Sequence, residues 1–268
     1  MKLGRFSIRG GVHPDGRKHL SQDVPIRDIP MPGLLHLPLQ QHIGAHAEPE
    51  VARGDLVKKG QLIARAKGRI SAPVHAPTSG EILGLHSFPA PHASGLDWQT
   101  ITLRPDGRDE RAHLTESMDP FSATPEQVSK RVADSGVVGM GGATFPSAIK
   151  LNLGDEKPLK RLVINGSECE PYLTCDDRLM QETPDTIVDG ARIMAHALRV
   201  GETVIAIERN KPNALAALRN AATKWDDVAV VDVPVLYPMG SEKQLVQALT
   251  GRETPAGKLT ADLGLVVH

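Results

Sequence analysis

Glycine is concentrated in one short segment, Gly139-Met140-Gly141-Gly142, where backbone can approach a ligand closely and offer N–H groups to a phosphate. Phe145-Pro146 follows, and an aromatic ring beside a stiff residue can stack on a ligand ring. Lys150 reaches a phosphate there if residues 147–151 are helical. The segment fails as a dinucleotide fingerprint, because it follows a predicted helix and Thr144 replaces the third glycine. A tight interhelical turn is the alternative interpretation.

A second segment has acidic side chains directly after a predicted buried strand, Arg161 to Asn165. Loops at the carboxyl ends of parallel strands are where ligands bind in α/β proteins. Glu168 and Glu170 are two residues apart, so on extended chain they point the same way. Two carboxylates do not hold a phosphate, but they accept hydrogen bonds from sugar or ribityl hydroxyls. The alternative is a solvated acidic loop, followed at Asp176-Asp177-Arg178 by an ion-paired helix start.

A third polar segment, Tyr237 to Lys243, also follows a predicted strand and contains Gly240 and Glu242. Ser241 can cap the next helix, and a cap alone is the alternative interpretation. Three such segments at strand ends favour a ligand site more than any one of them does.

Composition excludes several other classes of function. The chain has 31 Lys+Arg against 32 Asp+Glu, which argues against nucleic-acid binding through a broad cationic field. Its two cysteines, Cys169 and Cys175, are too few for a four-cysteine zinc site or an iron–sulfur cluster. His42 and His46 have helical zinc-ligand spacing, but Gly44 lies between them and two ligands alone do not make a site. No apolar run approaches the roughly 18 residues of a membrane helix, so we expect a membrane connection only through a partner.

The elements that position these segments belong to an α/β domain predicted for residues 119–268. Apolar runs predict strands, and 3.6-residue periodicity between them predicts helices. The predicted strands are Arg161–Asn165, Thr203–Ile207, Val228–Val235 and Leu265–Val267, and the predicted helices begin near Thr124, Pro184, Pro212 and Ser241. Gly201 is predicted to close the second of these helices. Repeated βα units imply a three-layer domain with a mostly parallel sheet.

Residues 1–118 are rich in Pro, Gly and His and predict a small all-β module with a Pro-rich N-terminal arm. Its GD-x-V-x-x-GQ-x-I pattern, followed by APTSG-x-I, resembles the barrel-sandwich of lipoyl and biotinyl carrier domains. Lys67 is the only candidate for a carrier lysine. The residues around it resemble a plain basic turn, so a solvated lysine is the better interpretation.

Three longer motifs occur in a characteristic order: GVVGMGGATFPSAIKL, LVINGSECEPYLTCDDRLMQ and YPMGSEKQL. With GGVHP at residues 10–14 and VHAPTSG at residues 74–80, they resemble the RnfC component of the bacterial Rnf (Rsx) electron transport complex. That component is related to the flavoprotein subunit of respiratory complex I. The resemblance implies a barrel-sandwich module followed by an α/β domain that binds FMN and accepts electrons from NADH.

The resemblance also implies roles for individual residues. Gly139, Gly141, Gly142 and Lys150 would line the flavin phosphate and ribityl chain. Asn165, Glu168 and Glu170 would contact the flavin or the NADH ribose, and Phe145 would stack near the nicotinamide nucleotide. Tyr237, Gly240 and Glu242 would complete the pocket.

Two residues depart from the related patterns: Thr144 replaces the glycine of GGAGFP, and Ser241 replaces an acidic residue of complex I. A Thr144 side chain narrows the cradle. The related proteins continue past a strand like Leu265–Val267 with a further FMN-contacting loop and a ferredoxin-like domain that carries two 4Fe–4S clusters. The chain is therefore expected to be the nucleotide-facing front part, with no cluster of its own.

The resemblance implies an electron-input module of an ion-translocating NADH:ferredoxin oxidoreductase. It would be a peripheral subunit on the cytoplasmic side of the bacterial inner membrane, docked on the other membrane subunits. No protein nucleophile or acid–base dyad is needed for hydride transfer between stacked rings. Two alternatives stay open: a folded scaffold that docks to membrane partners without flavin, and a relative of the cobalamin reductases, which share the glycine loop.

Overall fold

The structure is a computed structural model that describes residues 7–90, 94–113, 116–141, 143–155 and 157–268. The chain divides into two compact units. One contains residues 28–123 and 127–150, and the other contains residues 1–27, 124–126 and 151–268. The domain boundary predicted between residues 118 and 119 stays a prediction. Among the described residues, no helix combines the length and the apolar character that crossing a membrane requires.

The unit of residues 28–123 and 127–150 is built on antiparallel sheets, as its alternating turns predict. Its strands are β1 (Leu35–Pro38), β2 (Glu48–Pro49), β3 (Leu56–Val57), β4 (Leu62–Arg65), β5 (Val74–His75), β6 (Gly80–Pro89) and β7 (Asp97–Pro105). They form a four-stranded sheet in the order β1-β7-β6-β3 and a three-stranded sheet in the order β2-β4-β5. Side chains of both sheets share one apolar core, which includes Ile63, Ile82, Ile101 and Leu103.

Lys67 lies in this unit as an exposed lysine whose Nζ is 2.9 Å from a carboxylate oxygen of Glu48. An ion pair at such exposure contributes little to stability. The arrangement agrees with a solvated lysine in a basic turn.

The other unit contains a four-stranded, all-parallel sheet, so the predicted α/β class is confirmed. Its strands are β8 (Arg161–Gly166), β9 (Thr203–Glu208), β10 (Val228–Val233) and β11 (Leu265–Val267), in the order β10-β9-β8-β11. The helices that follow Leu151 are α3 (Cys175–Glu182), α4 (Pro184–Leu198), α5 (Pro212–Ala222) and α6 (Glu242–Thr250). Two earlier helices are α1 (Pro125–Asp134) and α2 (Ser147–Leu151).

Strand β9 shows why this sheet has helices on both faces. All six of its residues are buried, as expected for a central strand of a parallel sheet. Val204 and Ala206 point into a core with residues of α6, whereas Ile205 and Ile207 point into a second core with residues of α3, α4 and α5. Alternate residues of one strand therefore serve two apolar layers, which makes the three layers predicted from the sequence.

Helix α4 begins at Pro184 as predicted, but Gly201 does not end it. The helix stops at Leu198, because Arg199 adopts a left-handed backbone with φ 54° and its N–H bonds the last carbonyls. An arginine thus occupies the terminal position that glycine usually takes.

The N-terminal arm, defined here as residues 7–27, packs within the parallel-sheet unit. Val12 and Tyr237 exchange two backbone hydrogen bonds of 2.9 and 2.8 Å. The Tyr172 N–H donates to the carbonyl of Gly16 at 2.7 Å. The arm is therefore attached to two of the loops that the sequence singles out.

Candidate functional site

Three loops leave the carboxyl ends of neighbouring strands β8, β9 and β10 at one edge of the parallel sheet. We call the first of these, residues 165–173, the acidic loop. Asn165 joins it to the loop after β10, because its Nδ2 donates to the Gly240 carbonyl at 2.8 Å. The same side chain accepts the Ser167 N–H through Oδ1 at 3.1 Å. Asn165 is therefore a structural link between two of the predicted ligand loops.

Gly240 is where these two loops come closest. Its N–H points at Cys169 Sγ at 3.4 Å. A Cβ built on Gly240 lies 2.9 Å from the Ser167 carbonyl oxygen, a distance at which something must shift. Glycine is therefore required here for close packing, whatever further role the position has. Burial raises the pKa of the Cys169 thiol, so this sulfur is held in its protonated form.

Glu168 is the most unusual side chain of the acidic loop, because it is 2% exposed. Its Oε1 accepts the Asp176 N–H at 2.9 Å. Its Oε2 is buried without a hydrogen-bond partner among the described residues and lies 3.8 Å from Lys18 Nζ. Burial raises the pKa of the Glu168 carboxyl, and the Asp176 N–H, Lys18 and Lys211 oppose that rise. One carboxylate oxygen is therefore left to accept a hydrogen bond from outside the chain.

Glu170 does not share the environment of Glu168, so the expectation that the two point the same way is wrong. Glu170 is exposed, whereas Glu168 is buried. The reason is that strand β8 ends at Gly166, and the two-residue alternation does not continue through the turning chain beyond it. The carboxylates form one buried acceptor and one solvated charge.

The loop after β10 places its predicted residues in different settings. Tyr237 is 39% exposed and pairs through its backbone with Val12 of the arm. The Glu242 carboxylate accepts a hydrogen bond from the Thr260 hydroxyl, which ties the start of α6 to the segment before β11. Ser241 occupies the position before α6, but its side chain makes no capping hydrogen bond, so that prediction is wrong.

Sequence reasoning missed a buried ion pair at the end of β9. Lys211 Nζ lies 2.9 Å from Glu208 Oε2, and the two residues are 3% and 1% exposed. Lys211 also lies 3.5 Å from the Glu168 carbonyl oxygen. Glu208 Oε1 has no hydrogen-bond partner within the described part of the chain. The signal was present, since the apolar run TVIAI ends in a glutamate at a strand's carboxyl end.

Ser167 completes a set of buried polar atoms at this edge. Its Oγ is buried and lacks a partner among the residues that the structure describes, as do Glu168 Oε2 and Glu208 Oε1. Most buried polar atoms in proteins are hydrogen-bonded, so each exception requires an explanation. Three of them at adjacent strand ends are the arrangement expected where a ligand supplies the missing donors.

The glycine segment lies in the other unit, with Phe145 and Lys150. The Gly139 N–H donates to the Phe145 carbonyl at 2.8 Å, so it is not available to a phosphate. A Cβ on Gly141 meets nothing within 4 Å, which leaves open space there, and Gly142 lies outside the described residues. Residues 147–151 are helical as predicted, and Lys150 Nζ lies 5.9 Å from the centroid of the Phe145 ring.

Thr144 has a positive φ of 46°, a conformation that favours glycine. Its carbonyl accepts the Ile43 N–H at 3.4 Å. The residue that departs from the glycine pattern thus retains the left-handed backbone that a glycine would take.

Potential metal ligands are explained by other contacts. Ligand atoms of Glu168, Cys175 and Asp176 lie within 4.8 Å of one another. The Lys18 ammonium already supplies a cation beside this group. His42 is buried, and its Nε2 accepts the Ala72 N–H at 3.0 Å, so that nitrogen serves the fold.

Comparison with known proteins identifies the family. Residues 6–108 match the family described as the RnfC barrel sandwich hybrid domain, and residues 132–268 match the Nuo51 FMN-binding domain family. The second match covers just over half of the chain. Over 268 residues, the chain is 57% identical to the RnfC-type subunit of the ion-translocating oxidoreductase complex of Rhodobacter capsulatus. The chain belongs to the RnfC family. The relation to the complex I flavoprotein predicted from the glycine and acidic motifs is confirmed by the second match.

This RnfC relative is matched over 99% of the present chain and 51% of its own length. A second relative, the corresponding subunit of the proton-translocating ferredoxin:NAD(+) oxidoreductase complex of Clostridium ljungdahlii, is 42% identical over 98% of this chain and 57% of its own. The chain thus spans little more than half of these relatives. Among solved structures, NAD+-reducing NiFe-hydrogenase in the H2-reduced state is 24% identical over 56% of this chain and 29% of that chain, with a TM-score of 0.48.

Proposed function

We propose that this chain is the FMN-holding, NADH-facing part of an ion-translocating ferredoxin:NAD(+) oxidoreductase complex. The observation that carries the proposal is the set of three buried, unpartnered polar atoms on Ser167, Glu168 and Glu208 within the described part of the chain. They lie at the carboxyl edge of a parallel sheet, within the residues that match an FMN-binding family. A ligand rich in hydroxyl donors satisfies all three.

The donor and acceptor chemistry of the edge suits FMN. The ribityl chain carries hydroxyl groups, and buried carboxylate oxygens are strong acceptors for them. A phosphate requires a different environment, which the open backbone at Gly141 and the ammonium of Lys150 offer. The acidic edge and the glycine segment are therefore suited to chemically different groups of the same class of ligand.

The proposed roles follow from these environments. Glu168 and Glu208 accept ligand hydroxyls, and Glu170 contacts the solvent-facing side of a nucleotide ribose. Asn165 and Gly240 hold the two loops at their close separation. Phe145 offers a ring for stacking, while Tyr237 and Glu242 border the site. The remaining glycines, Gly139 and Gly142, keep side chains away from the phosphate segment.

Bound FMN would accept a hydride from NADH and release the two electrons singly to further carriers. The chain's own residues bind and orient the ligand and exclude water. The buried Glu168 carboxylate keeps a negative charge at a defined place in that environment, with Lys18 and Lys211 nearby as counter-charges. No step requires a covalent bond to the protein.

The setting in a complex is proposed from the names of the relatives. A ferredoxin:NAD(+) oxidoreductase uses NAD(H) and ferredoxin, so we assign NADH to the outer side of this site. Electrons leave toward two 4Fe–4S clusters in the remainder of the parent protein. The parent protein docks on membrane subunits of the complex at the cytoplasmic face of the inner membrane, without inserting in the bilayer.

The proposal is tested by adding FMN and then NADH to the chain without oxygen. We expect the absorption band of bound flavin to bleach on addition of NADH and to return with an artificial one-electron acceptor. The Glu208→Gln variant weakens FMN binding, while Glu126→Gln, an exposed acid of the same unit, leaves it unchanged. Bound flavin that NADH does not bleach would contradict the electron-input function.

A flavin-free docking scaffold is the second candidate, and Thr144 favours it. A β-branched residue with a positive φ in the glycine segment places a methyl and a hydroxyl where the related pattern has no side chain. If this interpretation holds, Thr144→Gly creates FMN binding that the original chain lacks. Equal FMN affinity in the two chains contradicts it.

A further inference from the structure

Lys18, in the N-terminal arm, inserts its ammonium into the acidic loop. Its Nζ donates to three carbonyl oxygens of that loop: Glu168 at 2.7 Å, Glu170 at 2.9 Å and Leu173 at 2.5 Å. The side chain is only 16% exposed. A charged ammonium has three N–H donors, and here each one has a carbonyl to donate to. The lysine therefore gathers the turns of the acidic loop around one point.

The charges around Lys18 are arranged in opposing pairs. Glu168 Oε2 lies 3.8 Å from its Nζ. Glu170 and Glu208 add negative charge, and Lys211 adds positive charge from the loop after β9. Burial lowers the pKa of Lys18, and Glu168 is the strongest influence that opposes this. The ammonium and the buried carboxylate thus stabilise each other's charged forms.

Contacts on both sides of Lys18 anchor the arm. Before it, the Gly16 carbonyl accepts the Tyr172 N–H at 2.7 Å. After it, the Ser21 and Thr174 hydroxyls lie 2.8 Å apart in a hydrogen bond. These anchors reduce the conformational entropy that Lys18 loses when it binds the loop. The arm is therefore built to deliver this lysine to this place.

We propose that Lys18 is a positioning residue of the candidate site: it holds the acidic loop so that the buried Glu168 carboxylate faces a ligand hydroxyl. The proposal rests on the proposed FMN-binding function. It adds that a residue about 150 positions earlier in the chain forms part of that site.

Hydrogen exchange of the ligand-free chain tests the positioning itself. Lys18→Met keeps the length of the side chain and removes all three donors. We expect exchange of the amides of residues 169–176 to rise at least tenfold, because the Asp176 N–H depends on Glu168 Oε1. Lys224→Met, an exposed lysine of the same unit, is the matched control and leaves these amides unchanged. Unchanged exchange in Lys18→Met overturns the proposal.

Charge and simple packing are separated by rescue. Lys18→Arg retains positive charge and several donors, so it restores protection that Lys18→Gln restores only in part. If Lys18→Met does not fold, the Arg and Gln pair carries the comparison. Equal protection in all three variants would mean that only the stem of the side chain matters, which contradicts the proposal.

The effect on ligand binding is measured as the ratio of FMN Kd values for Lys18→Met and the original chain across pH. FMN's own titration cancels in this ratio. Glu168 faces Lys18 from the arm, Lys211 and Glu208 from the β9 end, Glu170 from its own loop, and Cys175 and Asp176 from the start of α3. Without Lys18, Glu168 holds its proton to higher pH, so we expect a ratio of about ten or more that is largest on the acid side of neutrality.

The outcomes distinguish the two claims. If the original chain binds no FMN while exchange rises in Lys18→Met, the positioning role stands and the proposed ligand is wrong. If the chain binds FMN and the ratio is one at every pH, the proposed function stands and the role of Lys18 is wrong.

Discussion

Buried oxygen atoms without hydrogen-bond partners are the most informative features of this chain at the residue scale. Leaving a buried acceptor unsatisfied costs roughly 1–3 kcal/mol, and more when the group is charged. Ser167, Glu168 and Glu208 each carry such an atom within the described part of the chain. A protein tolerates that cost most readily where a ligand relieves it, so these atoms support a binding site more strongly than the acidic composition of the loop does.

The Glu168→Gln variant tests this cost through its pH dependence. Burial raises the pKa of the Glu168 carboxyl, so the folded chain holds this proton to higher pH than the unfolded chain does. The associated stability is present below the unfolded pKa and is lost as pH rises through the folded pKa. We therefore expect the Tm of the glutamine variant to rise relative to that of the original chain between about pH 4 and pH 7.

Glu170→Gln is the matched control for that measurement, because Glu170 is exposed in the same loop. Its Tm difference from the original chain stays flat over the same range. A flat difference for Glu168→Gln as well would contradict the burial of an ionisable carboxyl at this position.

Asn165 supports a second prediction at this scale. Asn165→Ala removes the hydrogen bonds to Gly240 and Ser167, which join two loops at partly buried positions. We expect a loss of roughly 1–3 kcal/mol in the free energy of unfolding, measured by urea denaturation. Asn220→Ala, on the exposed face of α5, should stay within about 0.5 kcal/mol of the original chain. Equal effects of the two substitutions would show that the loops do not depend on this link.

At the scale of elements, the site depends on three parallel strands ending at one edge. Strands β8, β9 and β10 are neighbours in the sheet, and helices cover both faces through two separate cores. The edge is therefore rigid below the loops, while the loops themselves are held by side-chain and arm contacts. Function at such an edge depends on how closely adjacent loops pack.

Gly240→Ala tests that packing. The added Cβ lies 2.9 Å from the Ser167 carbonyl oxygen, so the loop after β10 must move away from the acidic loop. We expect a loss of roughly 1–3 kcal/mol of stability by thermal or urea unfolding. Gly190→Ala lies in α4 with nothing within 4 Å of the new methyl, and should be neutral or gain up to about 1 kcal/mol. A destabilised Gly190→Ala with a neutral Gly240→Ala would overturn this description of the edge.

The sequence predicts the elements better than the contacts between them. The apolar runs of β8 to β11 are readable because a parallel sheet buries whole strands on both faces. Lys18 was missed because its partners lie about 150 residues away, and no local pattern marks a lysine that binds distant carbonyls. Glu170 was misjudged because alternation holds only while the strand lasts, and β8 ends at Gly166. Gly139 was expected to offer its N–H, but a backbone pairing within its own loop uses it.

At the scale of the whole molecule, two family matches in one order define the chain: a barrel-sandwich domain and then an FMN-binding domain. The chain spans little more than half of the relatives that it resembles over nearly its entire length. Its near-zero net charge and its two cysteines are consistent with a part that handles a nucleotide and carries no iron–sulfur cluster. The electron-input function therefore depends on whether FMN binds at the acidic edge.

The most direct measurement is an equilibrium titration of the 268-residue chain with FMN, followed by flavin fluorescence. We expect one saturable site per chain, with affinity reduced at least tenfold in the Glu168→Gln/Glu208→Gln double variant, since two charged acceptors for ligand hydroxyls are lost. The Lys224→Met variant should bind as the original chain does. Absence of saturable binding, or equal affinity in the double variant, would contradict a flavin site at this edge of the sheet.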